Sequence, residues 1–534
     1  MSSLSALAEI RCQTPGGRVS LVRRMKWRNT FFAAVLFLLP AILFAADQKI
    51  PGEKIVPPPP AREFRAAWIA TVGNSCWPSK SGLTTAQQKA ELIASLDRAV
   101  ALKLNCVIFQ VRPACDALYQ SSLEPWSEYL TGIQGRAPSP FYDPLAFAIA
   151  EAHKRGLELH AWFNPFRAHH AQAVSPIAPN HVSRTHPEWV RAYGKLLWLD
   201  PGEPAVREYS LRVVMDVVKR YDVDGVHFDD YFYPYAETNS AGAKLEFPDE
   251  VTWKKFGVAS GLTREDWRRH NVDLFMNEVY QHIKAEKPWV KVGISPFGIW
   301  RPQNPPGIKG FDAYSELYAD SLKWLREGWC DYFSPQLYWA IAPPAQSFPA
   351  LLAWWNEQNV RHRHLWPGLD SLKVGSKWPA AEIVNQIAIT RRYADAGHIH
   401  WSVSALMKNA ALDNALAGEI YRQPALIPAS PWLNPTPPPP PKLSVGAWRK
   451  SVHVAWKNAG GEPAQEWVLQ TREKGDWTTR LLPGDRLDFY LDNAHPDAVC
   501  VRAVNRVENL SEAAVWTPKK YGTAPTGHGA LKTK

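Results

Sequence analysis

Polar residues crowd the ends of short apolar runs in this chain, and their types suit one kind of chemistry. The run Gly225 to Asp229 closes on Asp229, Asp230 and Tyr231. Others close on Arg112 and Asp116, on Asn164 and Arg167, on Gln336, Tyr338 and Trp339, and on Asp370, while Trp77 and Trp300 follow two more. Carboxylates, amides and guanidinium groups bind hydroxyls in pairs, and aromatic rings stack on the C–H faces of a sugar. The mixture fits a glycan, and nothing in it prefers a nucleotide. Two carboxylates add the means to break a glycosidic bond, one ionised beneath the anomeric carbon and one protonated to serve the leaving oxygen. Asp229 is the first choice for the ionised group, as nucleophile or charge-stabilising carboxylate. Positions 225, 227 and 229 share one face, so Asp229 points inward, with His227 one layer below to orient it or to fill the core. The general acid is Asp370 or Asp230. Asp370 is slightly favoured, because alternation turns Asp230 towards the loops. Plainer readings stay open: Arg112 with Asp116 as an ion pair tying loops, Asn164 as a partner for loop amides, Trp77, Trp300 and Trp339 as core, Asp229 as a loop cap. His169 and His170 lack a third ligand at useful spacing, so no metal and no cofactor is expected.

These residues need a scaffold that brings distant run-ends together. Eight apolar runs rich in β-branched and aromatic residues recur: Ala66 to Val72, Cys106 to Val111, Leu157 to Phe163, Gly225 to Asp229, Val290 to Ser295, Tyr332 to Leu337, His364 to Leu369 and His398 to Val403. Helical stretches alternate with them, such as Thr84 to Leu102, with Leu92, Leu96 and Ala99 on one face, and Ala380 to Ala396, which Gly397 should stop. Eight βα units predict an α/β fold, a (β/α)8 TIM barrel, with reacting groups at the C-terminal ends of its strands. A doubly wound open sheet is the alternative, but the Gly-rich phosphate turn usual after its first strand is missing.

Proline runs at Pro57 to Pro60 and Pro437 to Pro441 divide the chain. The expected segments are a signal peptide over 1–46, a linker over 47–61, the barrel over 62–434, a second linker over 435–441, a small all-β sandwich over 442–521 and a disordered tail over 522–534. Short strands at Val452 to Trp456, Glu466 to Thr471, Thr478 to Leu482 and Val499 to Val504 carry the sandwich reading. It is expected to fold separately and to supply no catalytic group.

The formal charge of +10 on 534 residues points towards nucleic acid only until it is located. Residues 1–46 hold six Arg and Lys against one Glu, about half of the excess, and no basic run follows. No nucleic-acid partner is expected. The leader itself has a basic stretch ending at Arg28, an apolar run from Phe31 to Phe44 and small residues Ala45 and Ala46, the three parts of a secretory signal. That run is short for a spanning helix, so the expectation is cleavage, export to the periplasm or beyond, and no stable membrane insertion afterwards. The cysteines after the leader are scattered and odd in number, and form no disulfide framework.

Five motifs in register sharpen the reading: Phe64-Arg65-Ala66-Ala67-Trp68 with Trp77-Pro78-Ser79; Gln110-Val111-Arg112-Pro113 with Asp116-Ala117-Leu118-Tyr119; His160-Ala161-Trp162-Phe163-Asn164-Pro165; Asp224 through Pro234; and Ser334-Pro335-Gln336-Leu337-Tyr338-Trp339. Together they resemble the glycosyl hydrolase-like family 10 of bacterial exported proteins over roughly Arg62 to Leu416. The segment Val501 to Asn505 resembles the penultimate strand of fibronectin type III domains, with Val499 where those carry Tyr. The first resemblance implies a TIM barrel acting on glycan chains, with peptidoglycan strands stripped of stem peptides the substrate of some members. A secreted glycoside hydrolase working through two carboxylates is the leading expectation. A noncatalytic glycan-binding or wall-organising protein and a metal-dependent amide or ester hydrolase are the alternatives.

Overall fold

The computed structural model describes residues 55–518. The expected signal peptide and disordered tail fall outside the described residues. Within them, eight parallel strands follow one another around a barrel: strand 1 Phe64–Ile69, strand 2 Cys106–Arg112, strand 3 Glu158–Phe163, strand 4 Gly225–Phe228, strand 5 Lys291–Ile294, strand 6 Tyr332–Phe333, strand 7 in the two pieces His364–Leu365 and Gly368–Leu369, and strand 8 Gly397–His400. Strand 8 returns to strand 1 through pairs running from Phe64 with Gly397 to Ala67 with His400. Strand 7 closes the ring, its first piece pairing with strand 6 and its second with strand 8. The break falls at Trp366-Pro367, where proline has no N–H to offer a ladder.

Every residue of strands 1 to 5 is buried. Side chains fill the lumen and helices cover the outside, so the runs read as continuously apolar. The covering helix Thr85–Ala101 buries Leu92, Leu96 and Ala99 and starts from Thr84, whose hydroxyl accepts the Gln87 N–H while the Gln87 side chain accepts the Thr84 N–H. The helix Ala380–Thr390 ends well short of Gly397, correcting the expectation that this glycine stops it. Gly397 instead opens strand 8, where a β-carbon would lie 2.4 Å from the Trp366 ring and 2.6 Å from the Phe64 β-carbon. Gly225, on strand 4, leaves similar room: a β-carbon there would meet the His160 ring at 2.6 Å.

The chain after the barrel forms two antiparallel sheets. One contains Lys442–Trp448, Ser451–Lys457 and Asp488–Asp492, the other Glu466–Glu473, Asp476–Pro483, Ala498–Val504 and Ala514–Trp516. Val454, Trp456, Trp467, Leu469, Val499 and Val501 share the core between them. These sheets rest against the barrel end opposite its C-terminal mouth. Arg506 pairs with Asp222 just before strand 4, the Lys291 ammonium at the start of strand 5 lies 3.8 Å from the buried Glu508, and Leu426 packs with Val468 and Val504. The proline segments are part of this packing, because Gln470 donates to the Pro58 carbonyl and Asn509 to that of Asn434. Cys76, Cys106, Cys115, Cys330 and Cys500 are all free thiols, and no helix among the described residues is long and apolar enough to cross a membrane.

Candidate active site at the mouth of the barrel

A cavity of about 520 Å³ opens at the C-terminal ends of the strands. Three indoles line it: Trp68 on strand 1, Trp162 on strand 3 and Trp401 just after strand 8. Trp401 meets the other two edge to face, with ring centroids 5.9 and 6.2 Å apart. Asp229 and Asp230, the two residues after strand 4, stand together above them.

The orientation of Asp229 is fixed by a chain of side-chain amides that can be read only one way. The Thr71 and Val72 N–H groups donate to Gln110 Oε1 at 2.8 and 2.9 Å, which turns the Gln110 amino group to Asn164 Oδ1 at 2.6 Å. Arg167 Nη2 donates to the same Asn164 oxygen at 2.6 Å. A guanidinium cannot accept, so the Asn164 amino group must face Asp229, and it lies 2.7 and 2.6 Å from the two carboxylate oxygens. Trp162 Nε1 adds a bond of 3.1 Å and the Tyr231 N–H one of 3.2 Å. Asp230 is held more lightly. It accepts from the Tyr235 hydroxyl and from Gln336 Nε2 at 3.1 Å, and Gln336 also donates to the Ser295 carbonyl.

Burial, then the Asp230 charge, push Asp229 up to about 7 against the pull of Arg167 and Asn164. Burial also raises Asp230, opposed by its bonds from Tyr235 and Gln336. Two buried like charges side by side cannot both stay ionised cheaply, so the pair holds one proton near neutrality. The partners decide where it rests. Every neighbour bonded to Asp229 can only donate, so a proton there would find no acceptor, whereas the Tyr235 hydroxyl can turn to accept one from Asp230. The hydrogen-bond partners thus favour the charge on Asp229 and the shared proton on Asp230.

His227 is the first correction to the expected site. Trp68 Nε1 donates to His227 Nε2 at 3.0 Å, leaving the proton on Nδ1, which faces the Tyr332 hydroxyl at 2.9 Å; that hydroxyl reaches His160 Nδ1 at 2.7 Å. Burial holds His227 well below its ordinary pKa, so it is neutral. It is a lumen residue below the site, and Asn164, not His227, orients Asp229.

The profile of the family described as Glycosyl hydrolase-like 10 matches residues 63–383, which span strands 1 to 7 and both aspartates. Glycosyl hydrolase YngK of Bacillus subtilis (strain 168) is 44% identical over 487 residues, covering 86% of this chain and 94% of that protein. The chain belongs to the glycosyl hydrolase-like 10 family. Glycosyl hydrolase DigH of Escherichia coli (strain K12) is 37% identical over 374 residues, 64% of this chain and 83% of its own. Likeness to solved structures is looser: the glycoside hydrolase domain of PgaB (BpsB) from Bordetella bronchiseptica gives a TM-score of 0.43 at 13% identity, over 67% of this chain and 98% of that one.

In this glycosyl hydrolase-like barrel the expected residues divide. Asp229, Asp230, Tyr231, Gln336 and Tyr338 line the cavity, and Asn164 stands directly behind Asp229. Arg167 also lines it, with its guanidinium 5.0 Å from the centre of the Tyr231 ring. Asp370 does not line it and is paired with Lys373 at 3.1 Å. Arg112 is a structural cation, but its partner is Glu124 at 2.5 Å, not Asp116, and it also binds the Asn164 and Pro165 carbonyls. Asp116 accepts from the Ala114 N–H and from Gln134, and burial raises it to about 6. Trp77 is core and donates to the Gln88 carbonyl, Trp300 stacks on Trp354, and Trp339 meets Phe297 edge to face outside the cavity lining. The residues that sequence reasoning missed are Gln110, Trp68, Trp162 and Tyr235. The first three lie on the inward alternation of strands 1 to 3, which counting by twos would have exposed.

One grouping has metal-ligand types, Cys106, Glu158 and His160, all within 4.8 Å of one another deep in the lumen. Its lone pairs are already in use. His160 is bonded through both nitrogens, Lys291 takes one Glu158 oxygen, and burial pushes the Cys106 thiol well up.

Proposed function

We propose that the protein is an exported glycoside hydrolase that cleaves glycosidic bonds in bacterial cell-wall or related polysaccharide, with peptidoglycan strands stripped of stem peptides the first substrate to test. One observation carries the reading: a buried carboxylate locked by donors, beside a second whose hydroxyl partner can donate or accept, over a floor of indoles that a sugar ring can stack on. In that role Asp229 answers the positive charge that develops at the reacting sugar, and Asp230 protonates the leaving oxygen. Trp68, Trp162, Trp401 and Tyr231 exclude water and seat the ring. The names of YngK and DigH support the chemistry, and the basic and apolar halves of the leader support export. The C-terminal sheets, three strands facing four, support a fibronectin type III-like domain that adds no group to the cavity.

A second reading, a glycan-binding barrel without turnover, draws on a different observation. Among the described residues lining the cavity, Asp229 and Asp230 are the only carboxylates, and both follow strand 4, so none faces them from another strand. Two carboxyl groups flanking the bond, about 5 to 10 Å apart, are the usual requirement. Incubation of the purified protein with intact and amidase-treated peptidoglycan, followed by mass analysis of released fragments, separates the two. Fragments of the glycan strand are expected from the treated material. Binding without release would leave the lectin reading.

A further inference from the structure

If the barrel hydrolyses glycans, a reading on which this inference rests, the missing opposite carboxylate becomes informative. A retaining reaction needs a nucleophile under the anomeric carbon, and an inverting one needs a base to activate water on the far face. The other described residues lining the mouth are three indoles, the apolar Val72 and Phe297, amides, hydroxyls, Arg167 and His170, and none of them is a carboxylate able to take either part. The aspartates cannot divide the work across the bond, because they are consecutive residues on one strand end. We propose that the nucleophile is supplied by the substrate: the reacting sugar carries a 2-acetamido group whose carbonyl oxygen attacks its own anomeric carbon.

The geometry fits the two steps. Asp229, immobilised by Asn164, Trp162 and the Tyr231 N–H, accepts the acetamido N–H and stabilises the positive charge that the ring-forming amide acquires. Asp230 gives its proton to the glycosidic oxygen. The carbonyl-oxygen to anomeric-carbon bond forms as the glycosidic bond breaks, the leaving chain departs with its new hydroxyl, and a bicyclic oxazolinium ion remains. Asp230, now ionised, takes a proton from water. The resulting hydroxide equivalent attacks the anomeric carbon, the ring opens, and the acetamide is restored. Two displacements give net retention. Asp230 is suited to losing and regaining a proton because the Tyr235 hydroxyl can serve it as donor or acceptor. Asp229 is suited to keeping its charge because all its neighbours donate.

The test compares peptide-free glycan strands bearing their N-acetyl groups with the same strands re-acylated with N-trifluoroacetyl groups, whose carbonyl oxygen is a poor nucleophile. The expected result is cleavage of the acetylated strands with retained anomeric configuration, read by NMR of the first product, and a fall in kcat of about 100-fold or more on the trifluoroacetyl strands. KM should change much less. Cleavage of both at similar kcat, or an inverted first product, overturns the inference and leaves the hydrolase reading standing. Binding of both without cleavage of either overturns the two together.

Discussion

At the mouth of the barrel, Asp229 and Asp230 lie side by side with no ion-pair partner among the described residues. At the opposite end Glu158 is clasped by Lys291 and by His160 at 3.0 Å. Both sites are buried, and burial works to raise a carboxyl pKa in each. At the mouth a second negative charge adds to it and Asp229 rises to about 7. At the base Lys291, with His160, overcomes it and holds Glu158 down to about 2. One end is arranged so that a proton is easily gained and lost, the other so that charges stay fixed. The base is also where the C-terminal sheets seat Glu508 against Lys291. The mouth thus holds two buried carboxylates without an ion-pair partner among the described residues, while the base, where the C-terminal sheets join, holds a buried carboxylate that has one.

The largest effect that would break this contrast is on turnover. Asp229→Asn should lower kcat on glycan strands by about three orders of magnitude or more, because the developing positive charge loses its counter-charge. Its melting temperature should move by only a few degrees. Near-parental turnover would remove Asp229 from the chemistry, and lost turnover with a large fall in melting temperature would make it a structural cap.

At the base the effect should be on stability instead. Glu158→Gln leaves the buried Lys291 with only Glu508, at 3.8 Å, to answer it and should cost about 3 kcal/mol at pH 7 by urea unfolding. Turnover per folded molecule should hold. A loss of activity without a loss of stability would mean that the base contributes to the reaction through the hydrogen-bonded column of His160, Tyr332 and His227.

The two ends should also respond to pH with opposite sign. The Asp229–Asp230 pair binds its shared proton more tightly folded than unfolded, so its contribution to stability declines as pH rises from about 4 towards 7. Relative to the parent, Asp229→Asn should gain stability across that interval. Glu158 binds its proton less tightly when folded, so its contribution is complete above about 4.5 and is lost as pH falls towards 2. The deficit of Glu158→Gln should shrink over that range. Unfolding curves at pH 3, 5 and 8 measure both, and parallel pH dependence in the two variants would refute the contrast. Turnover of the parent should decline on the alkaline side of about pH 7, as the pair loses its shared proton.

Whether a residue's place is legible in the sequence depends on how far away its partners lie. The eight runs are legible because barrel strands are covered on both faces, and the inward turn of Asp229 because it needs only alternation from Gly225. Strands Lys442–Trp448 and Asp488–Asp492 escape that reading although Leu443 and Val445, and Phe489 and Leu491, alternate towards the core, because each strand offers only two such residues on a largely exposed run. Asn164 and Asp229 lie 65 positions apart, and only the pairing of Trp162 with His227 across strands 3 and 4 sets one behind the other. Arg112 shows the same limit: sequence proximity suggests Asp116, while the fold delivers Glu124. Trp68 and Trp162 pass as core because they sit within apolar runs, and nothing local marks a lumen side chain as lying under an opening.

Asp370 gives the smallest effect and the sharpest check on that limit. It follows strand 7, across the mouth from strand 4, and the sequence favours it as general acid because alternation turns Asp230 towards the loops. In the structure its carboxylate turns to Lys373, three residues on, at 3.1 Å, and it does not reach the cavity lining. A partly exposed pair of this kind contributes about 0 to 1 kcal/mol. Asp370→Asn should therefore leave kcat within about twofold and the alkaline limb of the pH–rate profile in place, since that limb belongs to Asp229 and Asp230. A fall of more than tenfold, with the limb abolished, would place the acid on strand 7 after all. It would supply the opposite carboxylate that the mouth lacks and with it remove the reason for a nucleophile drawn from the substrate.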